Sequence, residues 1–449
     1  MTVRVRFAPS PTGMLHIGNA RAALINWLFA KKHKGVFMLR QDDTDLERSE
    51  ERFAKAIQED LAWLGLTHQE FAKQSDRFDR YRQAMQELIN SGRLYPCYET
   101  AEDLDFKRKR QLAKGQPPIY DRASLSLSAD QKEVYEKQGR KPHWRFKLEP
   151  GLIAWDDLVR GRVEFHGERL SDPVLVREDG AFLYTITSVV DDLDFSITHI
   201  LRGEDHVTNT AVQIQLFQAL NNGKPVDIQF GHTTLLMDAK GQGLSKRLGS
   251  LSLAQMREDG IEPMAINSLI ARLGTSLPVE PVLDLEILAD HFDLGSFSRT
   301  PPRFDEQELL ILNHKLFHIM SYESVKDRLK ELDASDIDET IWNLIRNNLQ
   351  KLKDVKEWQI ICHGDLKGTA PQEDKEYVRS ALESLPMLPW SMETWGQWTN
   401  VLKEKTGRKG RALFMPLRQA LSGMDHGPEM KELLPIIGYE RVKERLKGC

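Results

Sequence analysis

The chain has 449 residues, 40% hydrophobic and 29% charged, with a net charge of −5; this is the make-up of a globular protein of roughly two to four domains. No apolar run approaches the roughly 18 residues of a membrane span, the opening MTVRVRF lacks a signal-peptide core, and three scattered cysteines, Cys97, Cys362 and Cys449, exclude a disulfide framework. A reducing cytoplasm is expected, and any contact with a polyanion must use local basic faces rather than bulk charge.

Val3, Val5 and Phe7 alternate with Thr2, Arg4 and Arg6, the period-2 signal of a strand over 3–7. Pro9, Pro11 and Gly13 break it. After Gly18, the apolar residues Ala20, Ala23, Leu24, Trp27 and Leu28 mark a helix over about 19–33. A strand at 36–39 completes a βαβ unit, expected to cross over right-handed with parallel strands. Ligands of such sheets bind beyond the carboxyl ends of the strands, so segments 6–10 and 40–45 should converge on one crevice. The helix start at His16 to Asn19 presents free N–H groups and a positive dipole end, and His16 and Asn19 can add donors. Gly18 keeps side-chain bulk away. The loop reads as a phosphate cradle.

Helices follow over 50–64 and 77–91, stopped by Gly65 and Gly92. From 94 to 182 the pattern becomes short strands (144–146, 158–163, 173–177) with a helical stretch at 129–139, an insertion into the sheet domain. Its run Lys107-Arg108-Lys109-Arg110 is either a solvated helix face or a contact to an RNA backbone. Strands over 182–186, 197–201 and 228–230, with a helix marked by Val212, Leu216 and Leu220, return to the sheet. Residues 243–247, GLSKR, form a glycine-rich loop with a cation, suited to closing over a triphosphate.

Beyond it helices are expected over 255–273, 305–318, 322–332, 338–352, 373–384, 391–405, 411–421 and 429–447. Tryptophans 342, 358, 390, 395 and 398 either pack these helices or stack on unpaired bases. Residues 401–449 carry 11 Lys/Arg against 6 Asp/Glu, a basic end on an acidic whole.

Taken in order, FAPSPTGMLHIGNAR, LRQDDTD (39–45), VVDDLD (189–194), ILRGEDH (200–206) and GLSKR resemble the signatures of class I aminoacyl-tRNA synthetases, in particular the bacterial-type glutamyl-tRNA synthetases. The resemblance runs from Thr2 to about Gly260 and more thinly through ALFMPLRQALSG (412–423). It implies an α/β fold: a Rossmann-like parallel-sheet catalytic domain, an inserted α+β domain and an all-α C-terminal anticodon-binding region. The implied divisions are 1–93 and 183–238 for the two catalytic halves, with the acceptor-end-binding insertion at 94–182 between them. The lysine loop and stem-contact domain would follow at 239–304, then helical anticodon-binding subdomains at 305–385 and 386–449.

The implied reaction activates L-glutamate with ATP and magnesium, then transfers it to the terminal adenosine of tRNA(Glu), or also or instead tRNA(Gln). The first step can itself require bound tRNA. By the same resemblance His16 and Lys246 are catalytic, and His16, Gly18, Asn19, Asp205, Leu235, Leu236, Ser245, Lys246 and Arg247 contact ATP. Glutamate would meet Arg6, Ser10, Asp42, Tyr184, Ser188 and Arg202. Arg4 shares Arg6's face of the strand, so alternation leaves open which of the two serves. Activation needs positioning and charge stabilisation rather than covalent catalysis.

Three positions depart from the family pattern: Asp42 stands for Glu, Ser188 for Asn, and Gly243 for the first Lys of the lysine signature. Some relatives hold zinc in the insertion. Cys97 has no Cys or His at ligand spacing, so no structural zinc is expected. The acidic runs 42–45 and 191–194 read as caps and substrate contacts rather than a metal cage. A monomer is expected. A truncated relative that glutamylates a tRNA base lacks the helical third, and a glutaminyl enzyme carries β-barrels there. A non-catalytic tRNA-binding paralogue would not need His16, Gly18, Ser245 and Lys246.

Overall fold

The computed structural model describes residues 2–244 and 252–449; the expected loop residues Ser245, Lys246 and Arg247 lie outside the described residues. The chain divides into two compact units, Met1–Asp259 with Ile266–Asp305, and Gly260–Ala265 with Glu306–Cys449.

The first unit starts with strand β1 (Arg4–Phe7), helix α1 (Ile17–Lys32), β2 (Val36–Gln41), α2 (Glu51–Trp63), β3 (Glu70–Lys73) and α3 (Phe78–Asn90). β1, β2 and β3 lie side by side and parallel, with Arg6 opposite Met38 and Met38 opposite Glu70. β3 was not legible as a strand: EFAK is short and lacks alternation. Within α1 nearly every face is buried, Ile17, Leu24, Ile25 and Leu28 among them, because the helix is covered on several sides.

The insertion carries β4 (Leu94–Cys97), α4 (Ala101–Ala113), α5 (Ala129–Lys137), β5 (His143–Phe146), β6 (Leu152–Asp157), β7 (Gly161–His166) and β8 (Val174–Val176). β4, β5 and β8 form an antiparallel sheet and β6–β7 a hairpin. Only 161–163 of the strand expected over 158–163 are extended, as the start of β7; residues 158–160 are the turn of the hairpin. Gly161, at φ +73, closes it, and only glycine adopts that conformation cheaply. No residue of α4 is buried. Lys107 is held by Glu99 and Asp121, and Lys109 by Asp105. Arg108, Arg110, Lys114 and Arg145 line a recess of about 410 Å³.

The chain then runs through α6 (Tyr184–Asp194), β9 (His199–Gly203), α7 (Val207–Leu220), β10 (Gln229–Thr233), β11 (Met237–Asp238), α8 (Leu253–Glu258), α9 (Pro263–Arg272), α10 (Leu285–Asp290) and β12 (Arg303–Phe304). β9 and β10 are parallel. β9 reaches β1 through Thr198, whose amide donates to the Arg4 carbonyl at 3.0 Å while its hydroxyl accepts from the Arg4 amide at 2.8 Å. The expected strand at 182–186 is a correction: from Tyr184 the chain is helical. Its β-branched residues favour a strand locally, but Ile186, Val189 and Val190 fall on one helical stripe. That stripe packs into the core formed by Tyr81, Leu88, Leu216 and Phe230. Burial overrides propensity here. The helix expected over 255–273 is broken at Gly260, φ +83, into α8 and α9.

The second unit is helical: α11 (Glu306–Ile319), α12 (Tyr322–Glu331), α13 (Glu339–Ile345), α14 (Val355–His363), α15 (Lys375–Glu383), α16 (Thr394–Thr406), α17 (Arg411–Ser422), α18 (Met430–Ile437) and α19 (Tyr439–Gly448). Gly438, φ +83, divides the stretch expected as one helix over 429–447. Trp342, Trp358 and Trp398 are core. The indole N–H groups of Trp342 and Trp398 donate to the carbonyls of Met320 (3.1 Å) and Ala381 (3.2 Å). Trp390 and Trp395 are half-buried, and Trp395 lines a depression of about 300 Å³ with Phe414 and Arg418.

Candidate active site

The loop leaving β1 is tied to the end of β2, since the Asp42 amide donates to the Pro9 carbonyl at 3.0 Å. It ends at His16, the N-cap of α1. The His16 Nδ1 accepts from the Gly18 amide at 3.0 Å and the His16 amide donates to Asn19 Oδ1 at 3.1 Å, a reciprocal cap. That bond fixes Nδ1 as an acceptor, and burial lowers the ring's pKa. The imidazole is therefore neutral with its proton on Nε2, a donor left over from the cap. Asn19 is occupied in holding His16. At Gly18 a Cβ would lie 2.9 Å from the His16 ring, so any side chain would push the imidazole out of place.

His16 also forms an isolated antiparallel bridge with Ser252, and the Leu253 amide donates to the Leu15 carbonyl at 3.0 Å. Ser252 caps α8, its hydroxyl accepting from the Gln255 amide. The chain that follows GLSKR is thus fastened beside the histidine.

Asp205 sits in a single turn after β9, more than half exposed, and Leu235 is 46% exposed whereas Leu236 is buried. Gly203 was not singled out in the sequence. A Cβ there would stand 2.5 Å from Asp205 Oδ1 and 2.9 Å from a Leu235 methyl, so this glycine lets Asp205 and Leu235 approach each other. Leu236 faces the core, which leaves Leu235 as the one of the pair able to meet a ligand.

A second cluster lies where β1, β2 and β9 end. Arg6 is buried and donates through Nε and Nη2 to both oxygens of Asp192 at 3.0 and 3.2 Å. Arg40, also buried, grips Asp42 at 2.7 and 3.1 Å and Asp192 at 2.7 Å. Asp191 takes Arg77 at 2.7 Å, Gln74 at 2.8 Å and the Tyr81 hydroxyl, and Asp194 pairs with Arg77 and Arg80. Both acidic runs are spent mainly on arginines. Among the described residues no group of three or more His, Cys, Asp or Glu is arranged to hold a metal ion. Burial would raise Asp192, but Arg6 and Arg40 hold its pKa below the usual value. For Asp42 burial prevails over Arg40 and lifts the pKa to about 6.

Arg202 differs from these arginines in kind. It is buried, and its donors go to neutral partners: the Tyr184 hydroxyl at 2.8 Å, Thr210 Oγ1 at 2.6 Å and Gln213 Oε1 at 2.6 Å. Burial pulls its pKa down. A guanidinium placed among hydroxyls and an amide retains its charge for an incoming anion. Arg4, left open against Arg6 by strand alternation, is used elsewhere, on Glu70 and the Phe195 carbonyl.

Gln213, Thr210 and His232 were not legible as site residues. Gln213 also reaches Ser188 Oγ at 3.4 Å, and His232 holds Thr210 at 2.8 Å while its other ring nitrogen meets Asp157. Burial acts to raise the Asp157 pKa, yet the His232 and Arg160 hydrogen bonds bring it down to about 2. A chain of polar groups thus runs from Asp157 through His232 and Thr210 to Arg202. Of the remaining expected residues, Tyr184 and Ser188 join the Arg202 cluster, while Ser10 is exposed on the loop tied to Asp42.

Comparison with known proteins agrees with this architecture. Residues 2–310 match the family model of tRNA synthetases class I (E and Q), catalytic domain, and residues 320–449 match an anticodon binding domain. The chain is 52% identical to a glutamate–tRNA ligase of Maricaulis maris, covering 99% of both chains. It is 53% identical to one of Parvibaculum lavamentivorans, covering 99% of this chain and 98% of that one. The crystal structure of a glutamate tRNA ligase from Elizabethkingia meningosepticum in complex with its amino acid superimposes with a TM-score of 0.84 at 26% identity, covering 100% and 99% of the two chains. From the strand order, the histidine-capped helix and these matches together, the chain belongs to the class I tRNA synthetases of the E and Q group.

Proposed function

We propose that this protein ligates L-glutamate to tRNA in two steps. A carboxylate oxygen of glutamate attacks the α-phosphorus of ATP and pyrophosphate leaves, giving glutamyl-adenylate. A ribose hydroxyl of the tRNA's terminal adenosine then attacks the acyl carbon, and AMP leaves. The observation that carries the reading is Arg202, a buried cation whose partners among the described residues are all neutral. It takes a carboxylate of the substrate, with Arg6 beside it and Tyr184 and Ser188 shaping the pocket. A neutral glutamine side chain leaves that charge unanswered, so charge discriminates more than size. Asp42 takes the α-amino group, and Ser10 lies at the mouth.

On the ATP side His16 donates from Nε2 to the phosphates, and Gly18 and Asn19 hold it there. Asp205 and Leu235 receive the nucleoside, with Leu236 as backing. Lys246, with Ser245 and Arg247, supplies the cation for the β- and γ-phosphates, and magnesium arrives with them. The protein then needs only to position and to stabilise charge. The divisions 1–93, 94–182, 183–238, 239–304, 305–385 and 386–449 serve as catalytic halves, acceptor-end insertion, stem contact and two anticodon subdomains. The enzyme acts as a monomer in the cytoplasm. Among the described residues no helix is long and apolar enough to cross a membrane.

Glutamate-dependent exchange of pyrophosphate into ATP, with and without tRNA, tests the reading, followed by aminoacylation of purified tRNA(Glu) and tRNA(Gln) side by side. Exchange with glutamate but not glutamine is expected; none with either tRNA present overturns the reading. Lys246→Ala should lose turnover far more than tRNA affinity.

A further inference from the structure

Asp60 lies on the third turn of α2 with its side chain fully buried, and neither carboxylate oxygen has a hydrogen-bond partner among the described residues. An ionised carboxylate is costly to bury in that state, and burial pushes its pKa up to about 6. Among the described residues two charged groups face it. One is Glu59, its neighbour on α2. The other is Arg257 of α8, whose Nη2 stops 3.7 Å from Asp60 Oδ1 while its guanidinium lies over the Trp63 ring, 5.6 Å from the centroid. Asp60 belongs to neither the ATP cluster nor the glutamate cluster.

Its position explains it. α8 begins at Leu253, six residues past Arg247, and its start is fastened to Leu15 and His16. Arg257, one turn further on, reaches back to Asp60. The short helix is thereby held at its start by the catalytic histidine's own strand bridge and near its end by a buried carboxylate.

We propose that Asp60 is a positioning residue for the His16 bridge: paired with Arg257, it seats α8 and so fixes Ser252 and Leu253 against His16 and Leu15. This rests on the reading of His16 as a donor to the ATP phosphates. A charge pair 3.7 Å apart, its carboxylate buried and its guanidinium partly exposed, resists separation without locking one hydrogen-bond geometry.

The test is ATP binding by equilibrium dialysis, read beside KM values, on full-length Asp60→Asn, Arg257→Gln, Arg257→Lys and the Asp60→Asn/Arg257→Gln double variant. Asp60→Asn should weaken ATP binding by about fivefold to twentyfold, leave the glutamate KM unchanged and leave the melting temperature equal or higher. Arg257→Gln should match it, Arg257→Lys should retain most of the affinity, and the double variant should be no worse than either single one. Wild-type ATP affinity should fall as pH drops through about 6, where Asp60 takes up its proton, and Asp60→Asn should lack that step. An Asp60→Asn protein with wild-type ATP affinity and pH profile overturns the proposal. So does one that loses ATP and glutamate affinity together with melting temperature. Because dialysis needs no turnover, a wild type that binds ATP but ligates nothing defeats the ligase reading while leaving this one measurable; a wild type that binds no ATP defeats both.

Discussion

The Nη1 atom of Arg202 donates to the hydroxyl of Tyr184 at 2.8 Å, joining the end of β9 to the first residue of α6. The bond holds a buried guanidinium in place without neutralising it, since a phenol brings no charge. Arg202→Ala should therefore raise the KM for glutamate by about 10- to 100-fold, the worth of charge-assisted hydrogen bonds, with little change in the KM for ATP. Tyr184→Phe should show a smaller rise of the same kind. Steady-state pyrophosphate exchange at varied glutamate and ATP separates these outcomes, and a change in ATP saturation alone would contradict the pocket assignment.

His16 does two jobs that substitution can pull apart. As N-cap of α1 it is worth about 0.5–2 kcal/mol; as a phosphate donor it is worth about 10²–10³ in rate. His16→Ala should lose both. His16→Asn restores a capping side chain and should recover the melting temperature but not the turnover. Thermal unfolding and exchange rates on the two variants check this, and equal recovery of both properties would mean the ring acts only as a cap.

Asp42 should make glutamate use depend on pH. Its pKa is raised from 3.8 to about 6 by burial, so for stability the protonated folded form is favoured. The contribution is fully present below about pH 4 and lost as pH rises through about 6. Substrate binding runs the other way, because the carboxylate must be charged to hold an ammonium group. The glutamate KM should climb as pH falls from 7 to below about 6, and Asp42→Asn should raise it at all pH values and flatten the profile. A wild-type glutamate KM that is level from pH 7.5 to 5 would remove Asp42 from the amino-group contact.

The helical unit offers a clean contrast between two tryptophans. Trp342 is fully buried and its indole N–H is satisfied, so Trp342→Ala should cost about 3–5 kcal/mol. Trp395 stands half-exposed over the depression it shares with Phe414. Trp395→Ala should cost well under that and instead raise the KM for tRNA severalfold, by loss of a stacking surface. Denaturant unfolding and aminoacylation kinetics measure the two effects.

Much of this molecule can be read in its letters because several signals are local. The alternation in TVRVRF, the breakers Pro9, Pro11 and Gly13 and the stripe after Gly18 gave β1, the loop and α1 to within two residues. The segment from Phe182 reads as a strand because YTITSVVDDLD is rich in β-branched residues, and only the packing of Ile186, Val189 and Val190 into a shared core makes it a helix. Gly203 carries no local signal; it matters only because Asp205 and Leu235 crowd it in the fold. Gln213 and Thr210 carry no motif, and only folding places them on Arg202.

By itself the sequence determined the family, the order of the elements and the identity of the charged residues, since motif spacing and hydrophobic period are properties of the linear chain. Only the tertiary structure decided which charges are already answered. Arg4, Arg6 and Arg40 have carboxylate partners, and Arg202 has none among the described residues. Apart from Asp42, two residues beyond Arg40, those partners come from strands and helices far apart in the chain. Whether a buried charge is neutralised depends on distances of a few ångströms, which no reading of neighbours in sequence can supply.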